Sequence, residues 1–174
     1  MYIWIGLDVD SQLQDLKTAA LRIEEMIGFH SSCLSFPSHI SLKMPFFVDM
    51  DSEPAVIAAI DEYLQTVTTF DLPIRGFEKY DGIVWLRLEE NELLIHIQDG
   101  LNDMLEERFG IGLHDYDQDH QFHVTLFMDD DTDKINQAYS QIKALHFQDI
   151  MLANKFSIRT STTGLPGTFT GIIK

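Results

Sequence analysis

One short pattern occurs twice in the chain: a histidine, an aliphatic residue, a hydroxyl residue and a leucine. The two copies are His39-Ile40-Ser41-Leu42 and His123-Val124-Thr125-Leu126, which begin 84 residues apart. Of the seven histidines, only these two are followed by this pattern. Because side chains alternate between the faces of a strand, each tetrad predicts a strand with one aliphatic face and one face carrying a histidine and a hydroxyl.

The elements around the two tetrads also repeat. The first repeat covers about 39–89 and the second about 123–174. Hydrophobic periodicity and turn residues predict the same order in both, namely tetrad strand, helix, strand, turn and strand. The predicted elements are a helix over 53–67 and strands over 70–78 and 83–89 in the first repeat, and a helix over 131–145 and strands over 148–160 and 168–173 in the second.

This internal repeat is typical of a duplication. Without a linker between the halves, residues 1–174 form a single bilobal domain in this interpretation. We therefore expect an α+β fold with two antiparallel sheets, outer helices and a central cleft related by a pseudo-two-fold axis.

The remaining segments complete the predicted fold. Alternating residues predict an opening strand over 2–9. A helix follows to Ile27, with Ser11 as its N-cap and Gly28 at its end. A third helix is predicted over 91–109.

Strand alternation also predicts where the polar side chains lie. His39 and Ser41 share one face about 6.5–7 Å apart, and Lys43 continues that face. If the two lobes place their tetrad strands side by side, two histidines and two hydroxyls surround one cavity. A histidine acts as acid or base near neutral pH, and hydroxyls donate hydrogen bonds to phosphate oxygens. Lys43 is predicted to contact phosphate, with a solvated strand lysine as the alternative.

These features resemble the two-histidine phosphoesterase superfamily, which includes 2′-5′ RNA ligase-like proteins and cyclic nucleotide phosphodiesterases. The resemblance rests on the two tetrads, and the segments 2–8 and 83–88 are also similar to the family. It implies that His39 and His123 form the acid–base pair and that Ser41 and Thr125 hold the phosphate.

The resemblance further implies an enzyme, a phosphodiesterase without metal or cofactor. Its expected substrate is a 2′,3′-cyclic phosphate, or a related phosphodiester, of a nucleotide or short RNA end. Two alternatives stay open. One is a 2′-5′ RNA ligase, and the other is a non-catalytic module that binds a nucleotide or a protein.

The chain is strongly acidic, with a net charge of −16. Proteins that bind long nucleic acid usually carry the opposite charge, because phosphate neutralisation supplies much of the affinity. We therefore expect a small phosphate ester or a short RNA end as partner, and no long duplex. Many relatives carry a basic residue soon after the second tetrad, whereas this chain continues as Asp129-Asp130-Asp131.

The compartment is predicted from absences in the sequence. No apolar run reaches the roughly 20 residues that span a bilayer. The opening residues lack the basic region of a signal peptide. The lone Cys33 forms no internal disulfide, which favours a reducing compartment. We expect a cytoplasmic monomer without membrane association, and an idle thiol at Cys33.

The histidine-rich stretch 114–123 does not fit a metal site. It imitates the start of a calcium loop, but His120 occupies the place of the obligatory glycine and Leu126 that of the final glutamate. The spacing of His114, His120 and His123 matches no zinc pattern. We expect no metal.

Other polar and aromatic residues are less constrained by the sequence. Arg75, Arg87 and Arg159 are candidates to line the cleft, although strand phase alone does not place them. We expect Tyr2 and Trp4 to pack in the core or an interface, with stacking on a base as the alternative.

Overall fold

The structure is a computed structural model that describes residues 1–119 and 121–173. Within those residues the elements are β1 (Tyr2–Asp8), α1 (Gln14–Ile27), β2 (His39–Phe47), α2 (Glu53–Leu64), β3 (Phe70–Tyr80), β4 (Ile83–Leu88), α3 (Glu92–Phe109), β5 (His123–Met128), α4 (Thr132–Ile142), β6 (Ile150–Ala153), β7 (Phe156–Ser161) and β8 (Thr170–Ile173). Three short 3-10 turns lie at Asp10–Gln12, Ser32–Ser35 and Asp115–Asp117.

The strands form two antiparallel sheets of four strands each, with the orders β2-β1-β7-β8 and β5-β4-β3-β6. Helix α1 packs against α4, and α2 packs against α3. The predicted α+β class is therefore confirmed. None of the described helices combines the length and apolar character that crossing a bilayer requires.

Most helix ends follow the sequence signals. Gly28 and Gly110 end α1 and α3 with φ of 79° and 67°, the left-handed conformation that glycine adopts without strain. The Asn91 side chain accepts the backbone N–H of Leu94 at the start of α3. The prediction for Ser11 is wrong, because it lies in the turn Asp10–Gln12 and α1 begins only at Gln14.

Each sheet takes strands from both halves of the chain. The hairpin β3–β4 of the first half pairs with β5 of the second, and β7 of the second half pairs with β1. The strand predicted over 148–160 is therefore wrong as a single element, since β6 pairs with β3 while β7 pairs with β1. The chain leaves one sheet after Ala153 and enters the other sheet at Phe156.

Each tetrad strand contains an extra residue at its leucine. In β2, Ser41 pairs with Gly6 and Lys43 with Ile5, so that Leu42 has no partner of its own. Such an insertion is a β-bulge, and it inverts the alternation of side chains beyond it.

The same insertion occurs in β5. Thr125 pairs with Trp85, Phe127 pairs with Val84, and Leu126 is the extra residue. The predicted faces are therefore correct up to each leucine and wrong beyond it.

The bulge turns the Lys43 side chain away from the cleft. Lys43 is 1% exposed, and its ammonium donates to Asp117 Oδ2 at 2.6 Å and to the Gly112 carbonyl at 2.9 Å. Asp117 also accepts the backbone N–H groups of Met44 and His114. The prediction that Lys43 contacts phosphate is wrong, because its charge is used inside the protein to join β2 to the turn Asp115–Asp117.

This buried ion pair predicts a large stability effect. Asp117→Ala leaves the Lys43 ammonium buried without a counter-charge, and we expect a loss of about 3–5 kcal/mol in the free energy of unfolding. Urea denaturation measures this. The double variant Lys43→Met/Asp117→Leu removes both charges, and its free energy of unfolding is expected to fall less than that of Asp117→Ala.

The matched control is Glu62→Gln, which breaks the exposed pair with Arg108. We expect it to cost less than about 1 kcal/mol. Equal losses for Asp117→Ala and Glu62→Gln would contradict the importance of the buried pair.

Candidate active site

A cavity of about 370 Å³ opens where the two tetrad strands meet. Three of the four predicted tetrad residues line it, namely His39, Ser41 and Thr125. We call it the central cavity. Its walls come from β1, β2, β5, β7, the segment 32–38 and the loop between β7 and β8: Trp4, Ser32, Cys33, Phe36, Pro37, Ser38, His39, Ser41, Met44, Pro45, Thr125, Met128, Arg159, Gly164, Pro166, Gly167 and Phe169.

His123 does not contribute to this lining, but its strand β5 contacts β2, which carries His39. His123 precedes Thr125 by two residues on β5, so the two side chains share a face of that strand. The structure therefore brings both predicted histidines and both hydroxyls to one place.

The two histidine rings are held by the same hydrogen bond. His39 Nδ1 lies 2.8 Å from the Pro37 carbonyl oxygen, and His123 Nδ1 lies 2.5 Å from the Gln121 carbonyl oxygen. A carbonyl only accepts, so each neutral ring carries its hydrogen on Nδ1. In both neutral rings Nε2 is then the nitrogen that can accept a proton.

A tryptophan packs on each histidine. The Trp4 ring meets His39 edge-on at a centroid distance of 4.9 Å, and the Trp85 ring stacks on His123 at 3.8 Å. The sequence interpretation missed this role, although one signal for it exists. Both tryptophans of the chain lie between aliphatic residues in strands that neighbour the tetrad strands.

Trp4 also positions the first hydroxyl. Its indole Nε1 donates to Ser41 Oγ at 3.1 Å, which leaves the Ser41 hydrogen free to donate elsewhere. The indole lies across Gly6, where an added Cβ would stand 2.4 Å from the Trp4 ring and from the Ile40 carbonyl oxygen. Glycine at position 6 therefore permits this placement. Trp4 packs inside the protein, as expected.

Burial makes both histidines weak bases. Desolvation lowers the pKa of His39, and the nearby Arg159 lowers it further, while the Pro37 carbonyl and Asp8 act in the opposite direction. Desolvation lowers the pKa of His123 to about 4, with Arg87 and His39 contributing and the Gln121 carbonyl opposing. Both rings are accordingly neutral at pH 7 in the unliganded protein.

Arg159 is the arginine that reaches the central cavity. It lies over the Trp4 ring at 5.2 Å, its Nη2 is 3.5 Å from Asp8 Oδ2, and its Nε donates to Ser157 Oγ at 3.0 Å. The other two candidates, Arg75 and Arg87, line a separate pocket of about 300 Å³. Strand phase did not distinguish among the three, because Arg159 enters the site through the β1–β7 pairing.

A polar clamp holds the segment that carries the Pro37 carbonyl. Asp10 Oδ1 accepts the Ser38 N–H at 2.8 Å and the Lys17 ammonium at 3.0 Å. Lys17 in turn donates to the Phe36 carbonyl at 2.8 Å. Both neighbours of Pro37 are thereby fixed, so the clamp orients the acceptor that sets the His39 tautomer.

Cys33 and the histidine-rich stretch have local explanations. Cys33 lines the central cavity, but burial raises the pKa of its thiol, which disfavours the nucleophilic thiolate. His114 Nδ1 accepts the backbone N–H of Tyr116 and caps the turn Asp115–Asp117. His120, which bears on the calcium and zinc patterns, lies outside the described residues.

This chain matches a known protein family, and solved structures share its fold. The family model of the 2′-5′ RNA ligase superfamily matches residues 8–159. TT0787 of Thermus thermophilus aligns with a TM-score of 0.67 at 14% identity, covering 99% of this chain and 94% of that one.

Two further solved structures show the same fold. E. coli LigT complexed with 3′-AMP has a TM-score of 0.59 at 12% identity, with coverages of 99% and 93%. Usb1 of Kluyveromyces marxianus has a TM-score of 0.57 at 12% identity, with coverages of 98% and 96%. A search among curated protein sequences gave no match.

The clamp generates a prediction for His39. Asp10→Ala removes the acceptor for Ser38 and Lys17, which loosens the Pro37 carbonyl bond that raises the pKa of His39. We expect the pKa of His39 to fall further while that of His123 is unchanged. Titration of the imidazole NMR signals measures both values.

Two variants control this experiment. Asp10→Asn keeps an oxygen acceptor for Ser38, so its His39 pKa is expected to lie closer to that of the wild type. Asp15→Ala, on the exposed face of α1, should leave the pKa of His39 unchanged. An unchanged His39 titration in folded Asp10→Ala would show that the clamp does not orient the carbonyl.

Proposed function

Since the chain belongs to the 2′-5′ RNA ligase superfamily, we propose that it is a phosphodiesterase acting on a 2′,3′-cyclic phosphate, or a related phosphodiester, of a nucleotide or short RNA end. The observation that carries the proposal is the pair of histidines held in one tautomer on two tetrad strands that contact each other. The nucleotide in the LigT complex gives independent support for a nucleotide ligand in this fold.

In the proposed reaction each histidine transfers one proton. The Nε2 of one neutral histidine takes a proton from water as the water oxygen attacks phosphorus. The other histidine, protonated at Nε2, gives its proton to the ribose oxygen as the P–O bond breaks. The product is a phosphomonoester with a free hydroxyl, and the proton pair is restored by exchange with solvent.

The hydroxyls supply hydrogen bonds to the non-bridging phosphate oxygens in this proposal. Ser41 is well placed because Trp4 already occupies one acceptor site of its oxygen. Thr125 lines the same cavity from the opposite tetrad strand. Donors fixed before the reaction stabilise developing negative charge without reorganisation.

Ligation of a 2′,3′-cyclic phosphate to a 5′-hydroxyl is the same chemistry with a different attacking oxygen. The alcohol replaces water and gives up its proton to the same histidine. This activity is therefore the alternative to hydrolysis, and the same acid–base pair serves both. Product analysis with and without an oligonucleotide 5′-hydroxyl distinguishes them.

We expect the wild type to hydrolyse 2′,3′-cyclic nucleotides in EDTA, because the proposed acid and base are both side chains. His39→Gln and His123→Gln should each lose about 10²-fold or more in kcat, since each removes one proton transfer. Initial rates of formation of the nucleoside monophosphate, separated from the cyclic substrate by chromatography, give both values.

The control variant is His146→Gln, which lies on the exposed segment after α4 and should retain full activity. All three variants are first compared by circular dichroism. Wild-type turnover that disappears in EDTA and returns with zinc would contradict the mechanism.

The lowered pKa values predict an acidic optimum. The reaction needs one charged and one neutral histidine, a state most populated between their two pKa values. Both pKa values lie below the ordinary 6.5, that of His123 at about 4. We expect a bell-shaped profile of kcat/KM with its maximum below pH 6.5, whereas a maximum above pH 7 would contradict the assignment.

A further inference from the structure

The charge of the central cavity restricts what it accepts. Among the described residues that line it, Arg159 is the one lysine or arginine. Its charge is already offset by Asp8 at 3.5 Å. Lys43, the nearest cation along β2, is buried against Asp117, and both histidines are neutral at pH 7.

Carboxylates follow the cavity wall on the side of the second tetrad. Met128 lines the cavity, and Asp129, Asp130 and Asp131 come directly after it. Asp131 caps α4 through the N–H groups of Asp133 and Lys134, and its own N–H donates to Asp129 Oδ1. These contacts fix the backbone of the acidic run at the end of β5, and Lys134 lies 3.5 Å from Asp131 Oδ2, which leaves Asp129 and Asp130 as the carboxylates next to Met128.

Part of the wall is apolar. The rings of Phe36 and Phe169 line the cavity together with Met44, Met128 and Pro166. A volume of about 370 Å³ lies at the lower end of the range for small-molecule sites. These surfaces suit one compact ring system, such as a nucleobase, and not a chain of nucleotides.

We propose that this site selects a monomeric cyclic phosphodiester, one singly charged phosphate attached to one nucleoside-sized ring system, and discriminates against further phosphate groups on the ligand. This proposal rests on the proposed function for its phosphodiester. Arg159 meets the one phosphate charge, the apolar wall takes the ring system, and the acidic run 129–131 opposes a second phosphate.

The first test compares adenosine 2′,3′-cyclic phosphate with the same compound carrying a 5′-phosphate, in EDTA at 20 and 200 mM salt. We expect kcat/KM to be about five- to tenfold lower for the 5′-phosphorylated compound at low salt. The difference should shrink at high salt, because screening weakens repulsion between separated charges. Equal kcat/KM values for the two compounds, or a ratio that does not change with salt concentration, would overturn the proposal.

A binding experiment tests the proposal independently of turnover. Isothermal titration calorimetry compares 3′-AMP with adenosine 3′,5′-bisphosphate, which differ only at the 5′ position. About fivefold weaker binding of the bisphosphate at low salt supports the charge selection even if no cyclic nucleotide is hydrolysed, a result that would refute the proposed function alone. Equal or tighter binding of the bisphosphate overturns the selection even if hydrolysis is observed.

A charge-reversal variant identifies the source of the discrimination. Asp130→Lys changes an exposed residue of the acidic run. At low salt it should raise kcat/KM about threefold more for the 5′-phosphorylated substrate than for the unphosphorylated one, because the former carries more negative charge. The matched control Glu107→Lys makes the same change of net charge at an exposed position of α3, a helix that supplies none of the described cavity lining. Equal effects of the two variants would overturn the role of the acidic run.

Discussion

The arrangement of the site depends on one hydrogen bond that is made twice. In each tetrad strand the carbonyl two residues before the histidine accepts its Nδ1–H. That bond fixes both the tautomer and the direction of Nε2, and its acceptor lies two residues before the first residue of each strand. A tryptophan from the neighbouring strand then limits the rotation of each ring.

The chain topology explains how two such histidines come together. Because each sheet takes strands from both halves of the chain, neither half builds its tetrad strand into a sheet alone. The tetrad strands lie at sheet edges and contact each other. The matching bulges at Leu42 and Leu126 then bring Met44 and Met128 to the cavity, while Lys43 and Phe127 enter the interior.

Local sequence signals predicted much of this arrangement, and the errors share a physical cause. Alternation placed His39, Ser41, His123 and Thr125 correctly because it depends only on the strand itself. The position of Lys43 was not predictable in this way, because a bulge depends on the register with β1. Arg159 could not be placed for the same reason, since its location follows from pairing with a strand more than 150 residues earlier.

In the proposed mechanism His39 and His123 act as one catalytic unit. The most direct measurement is kcat/KM for a 2′,3′-cyclic nucleotide in His39→Gln, His123→Gln and the double variant. Groups that act together are strongly non-additive, so each single variant should lose nearly all of the catalysis and the double variant only slightly more. Losses that multiply in the double variant, or full activity in either single variant, would contradict the claim.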